Sequence, residues 1–245
     1  MKSLPLVLLG LFAGTLAAQT TINKTVLVQN GQKIRMDFDY PELIRVSTWD
    51  KNEISIQGTV SINNGENDDA FKLEINPEGA TISIRNEIKN MEDLPHRITI
   101  VRDGQKTVFR NKAEWKKYQS ENGKGDMTTN EGVDMEIKLE IKVPRNTETM
   151  IKSVYGLVEI KDFTGPLTVE ATYGGVDASL AERSMGELIA ETNYGHIYTN
   201  LDLKIISGNV RDEDFHTYVS VKPGTGPRYS FESTYGNVYL RKMTN

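Results

Sequence analysis

The chain has 245 residues, 34 of them acidic and 29 basic, which gives a formal net charge of -5, and it contains no cysteine. That composition excludes disulfides, thiolate chemistry and cysteine-ligated metals, and it removes the lipid-bearing cysteine of a bacterial lipoprotein. With no concentrated basic patch it also argues against nucleic acid as a partner, because phosphate binding needs grouped Lys and Arg.

The first element in chain order is a leader. Lys2 is followed by an apolar run from Leu4 to Ala13, interrupted only by Pro5 and Gly10, and then by the small-residue stretch Leu16-Ala17-Ala18. This predicts a secretory signal peptide over residues 1–18, since about ten apolar residues fall short of the roughly twenty that span a bilayer. The mature chain then starts near Gln19, with no membrane span after cleavage, and its expected location is the periplasm or the cell surface.

Residues 19–101 read as serial β-strands. Ile34, Met36 and Phe38 alternate with Arg35 and Asp37. Ile44 and Val46, Ile54 and Ile56, Phe71, Leu73 and Ile75, and Ile82 and Ile84 continue the period of two, and turn signals such as Asn30-Gly31 and Pro77-Glu78-Gly79 separate the runs. Residues 102–133 are polar and glycine-bearing, and form an insertion with one short helix around Lys112 to Ser120, whose Trp115 and Tyr118 share a face suited to docking onto the body. Strand character returns in "VDMEIKLEIKVP", where Ile137, Leu139, Ile141 and Val143 alternate with Glu136, Lys138, Glu140 and Lys142 until Pro144.

Residues 134–245 then carry a repeat: "SVYGLVEI", "ATYGGVDASL", "TNYGHIYTNL" and "STYGNVYL". Tyr155, Tyr173 and Tyr194 lie 18 and 21 residues apart, and Tyr235 follows after 41, a gap that reads as two periods enclosing a degenerate coil. A period near twenty residues predicts stacked units, none of which buries its own face. Positions six, four and two before the tyrosine (Leu167, Val169 and Ala171 in one repeat) and positions three and five after it (Val176 and Ala178) are apolar in opposite phases. The strand therefore bends or bulges at each Tyr-Gly step. Gly156, Gly174, Gly195 and Gly236 read as corner residues with positive φ, and Tyr155, Tyr173, Tyr194 and Tyr235 as an inward-pointing ladder in ring contact between neighbouring coils. The alternative role for the rings is a sugar-binding aromatic strip.

These runs, with "FTGPLTVEATYGGVDASL", "IKLEIKVPRNTETMIKSVYGLVEI" and "KIRMDFDYPELIRVSTWDKNEISIQG", resemble the bacterial putative-adhesin family of β-strand repeat proteins, domains of unknown function common in the envelopes of Bacteroidetes. The resemblance is most specific from Asp134 to Lys242. It implies an all-β fold with a parallel β-solenoid and a secreted or envelope location, and it carries over no catalytic or binding residue.

Catalytic signals are sparse. His96, His196 and His216 are the three histidines, and none has a second at metal-ligand spacing. The chain has no nucleophile elbow, no phosphate-cradling glycine loop and no EF-hand spacing in "NNGENDDAF". No catalytic residue, metal site or cofactor is assigned. What remains is outward carboxylates at matching positions: Glu170, Glu191 and Glu232 three before the tyrosine, and Glu159 and Asp177 four after it. In stacked coils each set forms a column, either a solvated charged face that blocks aggregation, a Ca²⁺-bridged site, or a carboxylate pair for polysaccharide cleavage. The sequence thus points to a non-enzymatic envelope protein, adhesin-like or scaffolding, that binds a protein or glycan. The alternative is a carbohydrate-active β-helix lyase or hydrolase.

Overall fold

A computed structural model describes residues 19–123, 125, 127–203 and 210–243; residues 1–18, where the leader is expected, lie outside them. The first strands are β1 (Thr20–Leu27), β2 (Lys33–Phe38), β3 (Leu43–Trp49), β4 (Glu53–Ile62), β5 (Phe71–Asn76) and β6 (Thr81–Ile88). The polar region contributes β7 (Arg97–Arg102), β8 (Gln105–Phe109), α1 (Lys112–Asn122) and β9 (Thr128–Gly132). Next come β10 (Met135–Pro144), β11 (Thr149–Ser153), β12 (Leu157–Ile160), β13 (Leu167–Ala171), β14 (Val176–Leu180), β15 (Glu187–Thr192) and β16 (Ile197–Thr199). The last four strands are β17 (Val210–Glu213), β18 (His216–Val221), β19 (Arg228–Ser233) and β20 (Val238–Lys242).

The period-two pattern becomes burial directly. In β2, Ile34, Met36 and Phe38 are buried while Lys33 is exposed and Arg35 and Asp37 sit half-buried between them. The same alternation recurs in β3, β11, β13 and β14. The fold is all-β. One large sheet has the order β1-β4-β10-β3-β12-β14-β20-β16 and the other β17-β18-β15-β19-β13-β11-β2-β6-β5. Inward side chains of both sheets, among them Met36, Ile44, Ile151, Val169, Val176, Phe231 and Val238, form one continuous apolar core.

Five strand-corner-strand units contribute one strand to each sheet: β2–β3, β11–β12, β13–β14, β19–β20 and β15–β16. They lie in that same order in both sheets and pair in parallel throughout. We call each unit a tier.

The strand order corrects the sequential solenoid expected from the repeat. Among the described residues no degenerate coil separates the repeats of Tyr194 and Tyr235. Instead β17 and β18 form an antiparallel hairpin on the outer side of β15, and the chain returns to insert β19–β20 between the tiers of β13–β14 and β15–β16. At the other end β4 and β10 pair antiparallel, as do β5 and β6, so both sheets are mixed and no closed solenoid is formed by the described strands. The 41-residue gap fits a hairpin and a return as well as it fits a coil, because both need short alternating strands.

The polar region is a small unit of its own. Strands β8-β7-β9 form a three-stranded antiparallel sheet, whose first strand β7 begins at Arg97, ahead of the polar stretch. Asn111 caps α1 by accepting hydrogen bonds from the backbone N–H groups of Ala113 and Glu114. Trp115 and Tyr118 pack on Phe109 of that same sheet, with centroids 5.4 and 5.1 Å away, and not on the main body. Arg97 and Arg110 both hold Glu66, at 2.6 and 2.7 Å, and tie the unit to the large sheets.

Candidate interaction surface

Three of the four repeat corners follow the pattern Ser/Thr-x-Tyr-Gly. The residue two before the tyrosine points inward: Ser153, Thr192 and Ser233 are buried, and Ala171 fills the place in the fourth corner. Their hydroxyls donate to corner carbonyls: Ser233 Oγ to Gly174 O at 2.8 Å, Thr192 Oγ1 to Gly236 O at 3.0 Å, and Ser153 Oγ to Gly156 O at 3.1 Å. Two of them also accept from the glycine of their own corner, Gly236 N at 2.9 Å and Gly195 N at 3.1 Å. One buried hydroxyl therefore satisfies polar backbone that the bend would strand.

The corner glycines are required for a different reason from the one expected. None of the four has φ in the left-handed region. A Cβ on Gly156 would instead stand 1.9 Å from Pro41 O, on Gly174 2.0 Å from Gly156 O, on Gly236 2.2 Å from Gly174 O, and on Gly195 2.0 Å from Gly236 O. Each glycine makes room for the carbonyl of the tier beneath it, forming a column in which no side chain fits.

The tyrosines differ from expectation in direction. Tyr155, Tyr173, Tyr194 and Tyr235 are 58%, 56%, 59% and 50% exposed, so the rings point out of the corner. The change of phase falls before the tyrosine and not after it: the hydroxyl residue is the last inward position of the first strand, and the ring already belongs to the outside of the bend. The backbone ladder runs on through the corner, with Tyr173 N donating to Val154 O at 2.7 Å and Tyr235 N to Thr172 O and Tyr194 N to Thr234 O at 2.9 Å each. Successive rings are thereby held in register and stack: Tyr155 to Tyr173 at 5.3 Å and 11°, Tyr173 to Tyr235 at 5.1 Å and 8°, and Tyr235 to Tyr194 at 5.1 Å and 10°.

Two further rungs were not legible as repeats. Tyr40 stacks on Tyr155 at 6.3 Å, and Phe215, from the turn of the β17–β18 hairpin, closes on Tyr194 at 5.6 Å. Tyr40 follows Phe38 by two, as the repeat tyrosines follow their inward hydroxyl residues, but Pro41 replaces the glycine and hides the match. The result is one row of six aromatic side chains along an edge of the molecule.

The carboxylates form columns beside it. Glu170, Glu232 and Glu191 are paired in register on three neighbouring tiers, with Lys152 beyond Glu170 and Tyr218 beyond Glu191. Lys152 Nζ holds Glu170 at 2.5 Å and His216 Nε2 meets Glu191 at 2.7 Å. Glu232, between them, has no ion-pair partner among the described residues. Burial, then the charges of Glu191 and Glu170, push its carboxyl above the usual glutamate range, against the pull of Lys152. On the second sheet Glu159 and Asp177 lie side by side, neutralised by Arg45 at 2.8 Å and Arg241 at 2.7 Å, and the column continues into Tyr239 and Tyr198, stacked at 5.1 Å. Among the described residues no group of three or more His, Cys, Asp or Glu is disposed to hold a metal ion. His96 and His196 are exposed, and His196 lies edge-on to Tyr198.

Fold and surface together define an all-β protein with stacked parallel tiers and an exposed aromatic ladder on their common corner. No protein-family model matches the sequence, and no curated protein matches it. Among solved structures, a "putative cell adhesion protein" from Clostridium sporogenes aligns over 92% of this chain and 100% of its own, with 10% identity and a TM-score of 0.45. No helix among the described residues is long and apolar enough to cross a membrane.

Proposed function

We propose that this is an exported, non-enzymatic binding protein of the cell envelope, adhesin-like or scaffolding, which engages a protein or glycan partner through the aromatic ladder. The parallel tiers act as a short solenoid-like support. The observation that carries the reading is the row of exposed rings. Aromatic surface of this extent, gathered in one line on a rigid backbone and rimmed by polar side chains, is the usual mark of an interaction site. The leader at residues 1–18 supports export. The carboxylate columns give little support to catalysis, since Glu170, Glu191, Glu159 and Asp177 are each engaged by a basic side chain on an open sheet face.

The test has two parts. Protease shaving of intact cells, with a periplasmic protein as the lysis control, reports on which side of the outer membrane a tagged chain resides. Binding of the mature protein to immobilised envelope glycans and proteins is then compared with that of a Tyr155→Ser, Tyr173→Ser, Tyr235→Ser variant. Loss of binding with an unchanged circular dichroism spectrum supports the ladder as the site; full retention refutes it.

A further inference from the structure

The ladder's own geometry restricts what can lie on it. Its central rings are within 8–11° of parallel at 5.1–5.3 Å, so their π-faces are turned toward one another. Within this central run a flat ligand finds no slot between rungs, since each ring faces its neighbour. What the row offers outward is ring edges and phenol oxygens, an apolar line with a hydroxyl at each step, as on the Tyr-rich cores of protein interfaces.

The charge beside the row is predominantly acidic, with Lys152 as a basic member of the column. Glu170, Glu232 and Glu191 run parallel to the rings, and between the two rows lies a shallow trough of about 270 Å³ whose lining includes Val154, Thr172 and Thr234, together with Asp37, Asp39 and Lys152. Lys152 and His216 are the basic groups bonded to these three glutamates, one at each end, and Glu232 has no ion-pair partner among the described residues. At the far end of the ladder Phe215, 71% exposed, follows Asp212, Glu213 and Asp214. A surface that is apolar along one line and negative along the next complements a partner that is both apolar and basic.

Pitch selects the form of that partner. Tiers repeat at the inter-strand spacing of about 4.8 Å, and an α-helix advances about 5.4 Å per turn. A helix laid across the tiers with one basic side chain per turn drifts only about 1 Å over the two steps from Glu170 to Glu191, within the reach of a flexible Lys. An extended strand places same-side residues about 6.7 Å apart and drifts roughly 4 Å over the same interval.

We propose that the ladder and the glutamate column dock a basic amphipathic helix of a partner protein, lying across the tiers with its apolar stripe on the tyrosines and its Lys or Arg side chains over Glu170, Glu232 and Glu191. This rests on the binding role proposed for the ladder and adds the chemistry of the partner.

The probe is a fluorescently labelled Ala/Leu helical peptide with one Lys per turn, titrated with the mature chain and followed by anisotropy at low and high salt. Its controls are the same peptide with Glu for Lys, and one of equal composition broken by proline. The expected result is saturable binding of the basic helix alone, weakened by salt, and reduced at least about tenfold by Glu170→Gln, Glu191→Gln, Glu232→Gln together. Tyr173→Ser with Tyr235→Ser should reduce it comparably at both salt concentrations. Equal binding of the acidic or proline-broken peptide, or affinity within twofold in the triple Gln variant, overturns the inference. If no peptide binds but a neutral glycan does, and the tyrosine variant loses it, the helix proposal falls while the ladder's binding role stands. If the basic peptide binds the tyrosine variant unchanged, both fall.

Discussion

Gly174→Ala tests the closest approach in the fold. The added Cβ would sit 2.0 Å from Gly156 O and 2.5 Å from its carbonyl carbon, against backbone that has no side-chain freedom with which to yield. Relief requires the tiers to part by about 1 Å at the corner. Two inter-tier bonds on the near side of the corner, Thr172 N to Ser153 O at 2.9 Å and Tyr173 N to Val154 O at 2.7 Å, would then pass out of bonding range. Two backbone bonds at about 1 kcal/mol each, added to about 1–3 kcal/mol for overpacking, make a loss of about 3–5 kcal/mol. That is a large share of a typical native stability of about 5–15 kcal/mol.

Urea unfolding followed by circular dichroism measures it, with an expected fall in midpoint of about 1–2 M. Two comparisons isolate the cause. Gly132→Ala has open space around its Cβ and no left-handed φ, and should stay within about 0.5 kcal/mol of the parent. Gly195→Ala meets Gly236 O at the same 2.0 Å, but β16 is the edge strand of its sheet, so its tier can move outward and the cost should be roughly half. A Gly174→Ala protein as stable as Gly132→Ala, or less affected than Gly195→Ala, would sink the explanation.

Ser233→Ala removes the hydroxyl that accepts from Gly236 N and donates to Gly174 O. The expected loss is about 1–2 kcal/mol, seen as a melting point lower by about 2–8 °C. Ser233→Thr, which copies Thr192, should restore most of it, and equal melting of the two variants would count against the role. Glu232→Gln should stabilise the protein at neutral pH and do little in acid. Because the folded-state carboxyl is pushed above its ordinary range, the fold binds that proton more tightly than the unfolded chain does. Stability from this group is therefore greatest below the ordinary glutamate range and is lost as pH rises toward the folded value. Urea midpoints of parent and variant from pH 4 to 8 should diverge upward, and parallel curves would refute the assignment.

What the sequence disclosed, and what it hid, follow from which quantities are local. Alternation is local, so Ile34, Met36 and Phe38, or Ile137, Leu139 and Ile141, announce both strand and inward face. The corner was legible as a change of phase between Ala171 and Val176, but four residues separate those two inward positions, and the phase count alone does not say on which side of the tyrosine the break falls. Assigning it after the ring turned the ladder inward. The buried hydroxyl at Ser153, Thr192 and Ser233 was the available sign that the inward run ends two residues earlier. The glycines were recognised as corners but credited to φ, because the carbonyl that excludes their Cβ belongs to another tier, distant in sequence.

Tier order was hidden for a deeper reason. Four corners share nearly the same pattern, so each can accept almost any other as its neighbour, and the motif that makes stacking favourable carries no information about sequence of stacking. Order must come from contacts that are not repeated. Arg241 of β20 forms a two-bonded pair with Asp177 of β14 at 2.7 and 2.9 Å, which specifies that the C-terminal tier lies on that of Asp177. Tyr229 of β19 reaches Phe163 O at 3.1 Å from inside the core, fixing the same placement from the other sheet. On the far side His216 reaches back to Glu191, fastening the β17–β18 hairpin to the outermost tier. The repeat supplies the attraction between tiers, and these three contacts distinguish one arrangement among those the repeat would allow.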